Sequence, residues 1–122
     1  AVDRLTRQRS LTETRMPRQA PINPEKMRGH ADEAAALVKA LANKQRLMIL
    51  CLLVERERSV GELNGLLDLS QSALSQHLAV LREENLVSTR RDGQTIHYAL
   101  VDGPALRILQ VLHDTYCAPH PA

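Results

Sequence analysis

The sequence predicts a mainly α-helical fold of the α+β class, with five helices and one two-stranded β-hairpin. Among its 122 residues Phe and Trp are absent and only two Tyr occur, so the core must consist of aliphatic side chains and Met, which suit helices. Runs typical of strands are confined to residues 86–91 and 95–100, on either side of an Asp-Gly pair. At 13.6 kDa the chain has room for one domain, whose modest core can require a partner subunit.

Residues 1–27 are predicted to form a flexible basic arm. Pro17, Pro21 and Pro24 interrupt any long helix, and the segment has no hydrophobic period. Residues 1–28 contain seven basic and three acidic side chains, a net charge of +4, whereas the rest of the chain carries −2. We expect a domain over residues 28–118 to follow the arm, and residues 119–122 to form a short tail.

The first two helices are predicted from helical spacing of apolar residues. The stretch HADEAAALVKALA, from His30, has one apolar stripe. The next stretch, NKQRLMILCLLVER, begins with Asn43 as its capping residue and is apolar nearly all round from Leu47 to Val54. We expect this second helix to be central and buried.

Capping residues predict where the third and fourth helices begin. Ser59 with Glu62 three residues later forms a capping-box pattern before VGELNGLL. Ser70 is the expected cap of the fourth helix, which runs to about Glu84. Its buried face is predicted by residues at helical spacing: Leu74, Leu78 and Leu81.

The hairpin and the last helix complete the domain. The strands LVSTRR and TIHYAL are separated by DGQ, and the Asp-Gly pair favours a tight turn. Asp102 is the predicted cap of the fifth helix, with Pro104 in its first turn. This helix is apolar on more than one side, so we expect it to pack against both its own subunit and a second one.

The third and fourth helices, joined by a short turn, have the arrangement of a winged helix-turn-helix with the hairpin as its wing. Short polar side chains lie at the start and on the outer face of the fourth helix: Gln71, Ser72, Ser75, Gln76 and His77. Such side chains read base edges in the major groove of duplex DNA. Arg90 and Arg91 near the tip of the wing are predicted to reach the DNA backbone or minor groove.

Polar residues on an amphipathic helix are also ordinary in proteins that bind no nucleic acid. The preceding short helix and the arginine-bearing hairpin favour the DNA-binding interpretation. Scarcity of aromatic residues argues against single-stranded nucleic acid, which is held by stacking.

No segment predicts a membrane span or an export signal, because the longest apolar run, LMILCLLV, is too short and the first residues are polar. We therefore expect a cytoplasmic protein with reduced thiols. A small thiol enzyme is a competing hypothesis, but the sequence lacks Cys-x-x-Cys and any glycine-rich nucleotide loop, so no enzymatic activity and no cofactor are predicted. A protein-interaction module built on the same fold is another alternative.

The stretches LANKQRLMILCLL and SVGELNGLLDLSQSALSQHLAVLREENLVSTRRDGQTIHYAL resemble the bacterial ArsR/SmtB family of winged-helix repressors over residues 30–117. The resemblance implies a homodimer formed through the first and last helices, bound to an imperfect palindromic operator and released by an inducer. It also implies that Gln71, Ser72, Ser75, Gln76 and His77 are DNA-reading residues, with Arg90 and Arg91 in the wing.

The usual metal sites of that family are not predicted here. The third helix lacks its Cys-x-Cys, and Pro104, Thr115 and Ala118 stand where ligands of the last helix are expected. His113, Cys117 and His120 are irregularly spaced and could bind Zn(II) or Cu(I) opportunistically.

Cys51 and Cys117 allow two interpretations. A Cys within MILCLLV is often only a small buried apolar residue, and Cys117 can be an inert terminal thiol. The pair also resembles that of the ArsR/SmtB subgroup that responds to persulfides, and in some cases to oxidants. That resemblance implies that a disulfide or polysulfide bridge weakens operator binding and thereby controls genes for sulfide or redox detoxification. The alternative is a repressor with passive cysteines that responds to a metal or to no inducer.

Overall fold

The computed structural model describes residues 21–117 and residue 119, so the predictions for residues 1–20, 118 and 120–122 lie outside the described residues. In chain order the elements are α1 (Pro24–Arg28), α2 (Ala31–Leu41), α3 (Lys44–Glu55), β1 (Arg58–Ser59), α4 (Val60–Leu66), α5 (Gln71–Glu83), β2 (Val87–Asp92), β3 (Thr95–Leu100) and α6 (Pro104–Tyr116). The mainly helical α+β fold is confirmed, and the described residues contain one helix and one strand more than predicted.

Helix α1 is the additional helix, and it overlaps the end of the predicted arm. The Oδ1 atom of Asn23 accepts hydrogen bonds from the backbone N–H groups of Glu25 (3.0 Å) and Lys26 (3.2 Å). Pro24 stands in the first turn, where its missing N–H costs no intrahelical hydrogen bond. Arg28 and Glu25 form an exposed ion pair of 2.8 Å. None of the five residues is buried, so local capping accounts for this helix.

Helix α3 begins at the predicted cap and contributes the most deeply buried side chains. The Oδ1 atom of Asn43 accepts hydrogen bonds from the N–H groups of Gln45 (2.9 Å) and Arg46 (3.0 Å). Ile49, Leu50 and Leu53 are buried. The prediction that the whole helix is buried was wrong for its other face, which exposes the side chains of Met48, Cys51 and Val54.

Helices α4 and α5 begin at the caps that the sequence predicts. Ser59 Oγ accepts from the N–H of Glu62 at 3.1 Å, and Glu62 Oε1 accepts from the N–H of Ser59 at 2.8 Å. Ser70 Oγ accepts from the N–H of Ala73 at 3.1 Å. The predicted inner face of α5 is confirmed by the burial of Leu74, Leu78 and Leu81.

Helix α5 ends in a hydrogen-bonded stop that leads into the hairpin. Asn85 adopts a left-handed conformation with φ of 60°, which Asn tolerates better than most residues. The N–H of Leu86 donates to Leu81 O at 2.9 Å, and the N–H of Asn85 donates to Arg82 O at 3.0 Å. These two bonds satisfy carbonyl groups that the end of a helix otherwise leaves unpaired.

The sheet has the strand order β1-β3-β2, with every pair antiparallel. The predicted hairpin is confirmed, and Asp92 pairs with Thr95 across a tight turn in which Gly93 has a φ of 64°. A positive φ at this position favours glycine. Strand β1 was not predicted, and it pairs Arg58 with Tyr98 along the other edge of β3.

Helix α6 begins one residue later than its predicted cap implies. Gly103 occupies the capping position without a side-chain hydrogen bond, so the prediction that Asp102 caps this helix was wrong. Pro104 stands in the first turn as predicted. Ala105 and Leu109 face the core, whereas Val111 is exposed.

The core lies where α3 meets α5, α6 and β3. It consists mainly of Leu side chains, with Tyr98 as its aromatic member. Among the described residues, no helix has the length and apolar character needed to cross a membrane.

Replacing Leu50, which is fully buried, should test how much of the stability depends on α3. Because Leu50→Ala leaves a cavity in the core, we expect it to lower the free energy of unfolding by about 2–5 kcal/mol. The measurement is urea unfolding followed by circular dichroism. Met48→Ala, on the exposed face of the same helix, is the control. Equal effects of the two substitutions would contradict this description of the core.

Candidate DNA interface and cysteine pair

The outer face of α5 presents a row of short polar side chains at its amino-terminal end. Four of the predicted residues are exposed there: Gln71, Ser72, Ser75 and Gln76. The cap at Ser70 fixes where the helix begins, and the buried leucines fix which face is turned outwards. These four side chains are free to bind a partner that approaches the helix from this side.

The prediction that His77 lies on the outer face of α5 was wrong, because this residue is half-buried and faces α3. Its Nδ1 atom lies 3.5 Å from Nη1 of Arg46. The Arg46 guanidinium also donates to two carbonyl oxygens at the end of α2, those of Ala40 (2.6 Å) and Lys39 (3.2 Å). Arg46 therefore joins α2, α3 and α5, a role that no local sequence pattern indicated.

The two wing arginines have different surroundings. The Arg90 guanidinium makes two hydrogen bonds with the Glu57 carboxylate, from Nε to Oε2 at 3.1 Å and from Nη2 to Oε1 at 2.7 Å. Arg91 is exposed, and its closest polar contact is a long one of 3.5 Å to the carbonyl oxygen of Gly93. The sequence placed both arginines near the tip, and the structure leaves Arg91 as the more available cation of the two.

The ion pair changes the titration of both partners. The hydrogen bond from Arg90, together with the positive charges of Arg90 and His97, lowers the pKa of Glu57. The same hydrogen bond and the Glu57 charge raise the pKa of Arg90. Both groups therefore remain charged at neutral pH.

An open groove of about 490 Å³ separates the wing from the starts of α4 and α5. We call it the wing groove, and its polar lining consists of Ser59, Asn64, Gln71, Gln94 and Thr95. Gln94 lies in the hairpin turn and Thr95 is the first residue of β3. The sequence pattern predicted the turn but no binding role for these two residues. The groove therefore places the hairpin beside Gln71 at the start of α5.

The two cysteines are free and exposed, Cys51 on α3 and Cys117 just after α6. The interpretation of Cys51 as a buried apolar residue is therefore wrong for this chain. Partial burial raises the pKa of the Cys51 thiol, and the negative charge of a nearby Cys117 thiolate raises it further. Helix α3, which carries Cys51, packs on α6, and α6 ends immediately before Cys117.

A cleft of about 180 Å³ lies beside Cys51, between α3 and α6. We call it the cysteine cleft, and it is lined by Cys51, Val54, Leu109, Gln110, His113 and Asp114. Apolar side chains on both helices account for the partial burial of the thiol. Among the described residues no cluster of three or more His, Cys, Asp and Glu side chains is arranged to hold a metal ion, and His120 lies outside them.

Known proteins resemble this chain in sequence and in fold. The family model described as bacterial regulatory protein, arsR family, matches residues 43–89. The chain is 49% identical over 98 residues to the transcriptional activator HlyU of Vibrio cholerae, a match that covers 80% of this chain and 91% of the relative. The solved structure of reduced HlyU from Vibrio cholerae superimposes with a TM-score of 0.73, at 48% identity and with 77% of this chain and 99% of that chain covered.

Two further solved structures bear on assembly and function. The transcriptional repressor BigR from Xylella fastidiosa is 42% identical, with a TM-score of 0.72 and coverage of 80% of this chain and all of the other. A homodimeric winged helix-turn-helix DNA-binding domain from Mycobacterium bovis is 30% identical, with a TM-score of 0.64 and coverage of 85% and 98%. The winged helix-turn-helix fold is thereby confirmed, and these relatives are named as regulators or DNA-binding domains and not as enzymes.

The proximity of the two thiols can be tested through their reactivity. A thiol reacts as its thiolate, so the rate at which iodoacetamide alkylates Cys51 should keep increasing above about pH 8.5, the ordinary pKa of Cys. Cys117→Ser removes a neighbouring negative charge and should shift this midpoint to lower pH. Peptide-resolved mass spectrometry of timed samples measures the rate. An unchanged midpoint in the variant would mean that the thiols are too far apart to interact.

Proposed function

The chain belongs to the bacterial ArsR family of regulatory proteins, and we propose that it acts as a homodimeric repressor of transcription that a dithiol modification releases from duplex DNA. Its place of action is the bacterial cytoplasm, where the operator lies. The observation that carries this proposal is the position of the wing beside the start of α5. Gln71, the first residue of α5, and Gln94 and Thr95 of the hairpin line one open groove.

The chemistry of this side suits duplex DNA. The side-chain amide of Gln76 can make two hydrogen bonds to an adenine edge in the major groove, and Ser72 and Ser75 can bond to bases or phosphates. Arg91 supplies an exposed positive charge for the DNA backbone beside the major groove. Gln71 belongs to the same surface, whereas His77 faces Arg46 and orients α5 from behind.

A homodimer explains apolar side chains that one copy of the domain leaves uncovered. Val111 on α6 is 63% exposed and Val38 on α2 is 58% exposed. A second copy packed on these helices would remove them from water, and it would present two α5 helices to successive major grooves of an imperfect palindrome. The homodimeric relative from Mycobacterium bovis supports this assembly.

The two thiols are the proposed site at which the inducer reacts. With a persulfide RSSH, each thiol takes up one sulfane sulfur and releases RSH, and the two protein persulfides condense to a trisulfide with loss of hydrogen sulfide. With peroxide, the two thiols give up two electrons and two protons to form a disulfide and two waters. A direct disulfide requires α-carbons about 4.4–6.8 Å apart, so the separation of the pair sets which bridge forms without strain.

A covalent bridge between the two thiols would act on the DNA-facing surface through α3. Cys51 lies on α3, which packs on α5, and Cys117 follows α6. Tying α3 to α6 would displace one helix against the other, and a tenfold loss of operator affinity requires only about 1.4 kcal/mol. Genes for sulfide or redox detoxification are the proposed targets.

Replacing Gln76 and Arg91 together by Ala should weaken selective DNA binding. We expect losses of about 1–3 kcal/mol from the base contact and a decrease of about 1 in the salt slope from the lost arginine. Fluorescence anisotropy over a range of salt concentrations, with a labelled duplex that the wild-type protein enriches from a random pool, measures both effects. Arg107→Ala, an exposed arginine on α6, is the matched control. Unchanged binding by the double variant would favour a protein-interaction module.

Exposure of the reduced protein to a persulfide donor, or to peroxide, tests the proposed inducer. Intact-protein mass spectrometry should show loss of two hydrogens with added sulfur after persulfide treatment, together with release of the labelled duplex. Cys51→Ser and Cys117→Ser should each prevent both changes. If neither reagent alters mass or DNA binding, the cysteines are passive and the inducer is of another kind.

A further inference from the structure

The bidentate ion pair of Glu57 and Arg90 joins two parts of the domain that lie 33 positions apart in the chain. Glu57 lies between the end of α3 and the start of β1, and Arg90 lies in β2. Two parallel N–H···O hydrogen bonds fix the relative orientation of a guanidinium and a carboxylate, unlike a single contact between point charges. The ion pair therefore fixes the orientation of β2 relative to the end of α3, as well as the distance between them.

The ion pair reaches across the middle strand of the sheet. Strands β1 and β2 pair with opposite edges of β3, and His97 of β3 is opposite both Ser59 and Arg90. Glu57 lies next to β1 in the chain, so its carboxylate joins the β1 side of the sheet to β2. Backbone hydrogen bonds attach β2 to β3, and the ion pair gives β2 an additional attachment to the chain beside α3.

The end of α3 is itself anchored to the base of the wing. Arg58 is buried, with its Nε donating to Leu52 O at 3.0 Å and its Nη2 paired with Glu55. On the other side, Arg58 is opposite Tyr98 of β3. A displacement of the last turns of α3 thus reaches β1 directly, and Glu57 is held between the two.

Stability alone is a poor explanation for the pair. The side chains of Arg90 and Glu57 are 53% and 38% exposed, and ion pairs in such surroundings are weakened by solvent. The ion pair also occupies Arg90, which lies beside Arg91 in a wing suited to binding phosphates. Because the ion pair adds little stability, we attribute to it the orientation of the wing.

We propose that Glu57 is a positioning residue for DNA binding, which holds Arg90 and so fixes the wing relative to α3, leaving Arg91 to contact the DNA backbone. The inference rests on the proposed DNA-binding function. It assigns Arg90 to wing orientation and departs from the sequence-based prediction that both arginines touch DNA. It also provides a route by which a change at Cys51 on α3 reaches the wing.

The charge of Glu57 makes the inference testable, because the two possible roles predict opposite signs. If Glu57 competes with DNA phosphate for Arg90, Glu57→Gln frees the arginine, removes a negative charge and strengthens binding. If Glu57 positions the wing, the same substitution weakens binding although the protein becomes more positive. Simple charge attraction cannot produce the second result.

The experiment compares Glu57→Gln, Arg90→Gln, the double variant and the charge swap of Glu57→Arg with Arg90→Glu. The probe is a labelled duplex that the wild-type protein enriches from a random pool. We expect each single variant to bind about tenfold more weakly, the double variant to bind no more weakly than either, and the charge swap to recover most of the loss. The salt slope should stay near that of the wild type. Glu83→Gln, an exposed acidic residue on α5, controls for the loss of one negative charge.

Stronger or unchanged binding by Glu57→Gln would overturn the inference. A decrease of about 1 in the salt slope of Arg90→Gln would also overturn it, because that change indicates a lost phosphate contact. If the wild-type protein enriches no duplex at all, the proposed function itself fails, and this result is distinct from the other two. Thermal unfolding of each variant verifies that the fold is retained.

Discussion

The packing of α3 is the constraint on which the other features depend. Ile49 and Leu50 are fully buried on its inner face, where the helix meets α5, α6 and β3. A close-packed interior transmits displacement and does not absorb it, so α3 cannot shift without moving its neighbours. The opposite face of this helix carries Cys51. One helix therefore links the thiol chemistry to the surface proposed for DNA.

Two arginines secure α3 at its ends. Arg46 in the first turns joins the helix to the end of α2 and to His77 of α5, and Arg58 just beyond the helix binds the carbonyl oxygen of Leu52. The first connection leads to α5, the helix proposed to read DNA, and the second leads to the wing. Both parts of the proposed DNA interface, α5 and the wing, are thus connected to α3. A bridge at Cys51 on this helix would therefore act on both of them.

Local sequence signals predicted most elements because their physical causes are local. Asn43, Ser59 and Ser70 cap helices through neighbouring backbone groups, and Gly93 supplies the positive φ that the hairpin turn requires. Strand β1 escaped prediction because two residues have no recognisable period, and Ser59 already served as a cap. Asp102 was a plausible cap by residue type, yet the helix begins after Gly103.

The site was predictable in composition but not in its pairings. Spacing along α5 correctly indicated that the four short polar residues from Gln71 to Gln76 face outwards, but it wrongly included His77. The partner of His77 lies 31 positions away and that of Arg90 lies 33 away. Such contacts depend on how elements pack, which a single sequence does not encode locally. The packing of α3 on α6, which determines how Cys51 and Cys117 lie relative to one another, is of the same kind.

The most direct test of the central claim is to bridge Cys51 and Cys117 with a short bifunctional thiol reagent and to measure DNA affinity before and after. This separates the mechanical effect of the bridge from the identity of the inducer. Coupling through α3 predicts that the bridged protein binds its selected duplex at least about tenfold more weakly. It also predicts that singly alkylated Cys51→Ser and Cys117→Ser variants keep their affinity. A bridged protein with unchanged affinity would contradict the coupling of the thiols to the DNA-binding surface.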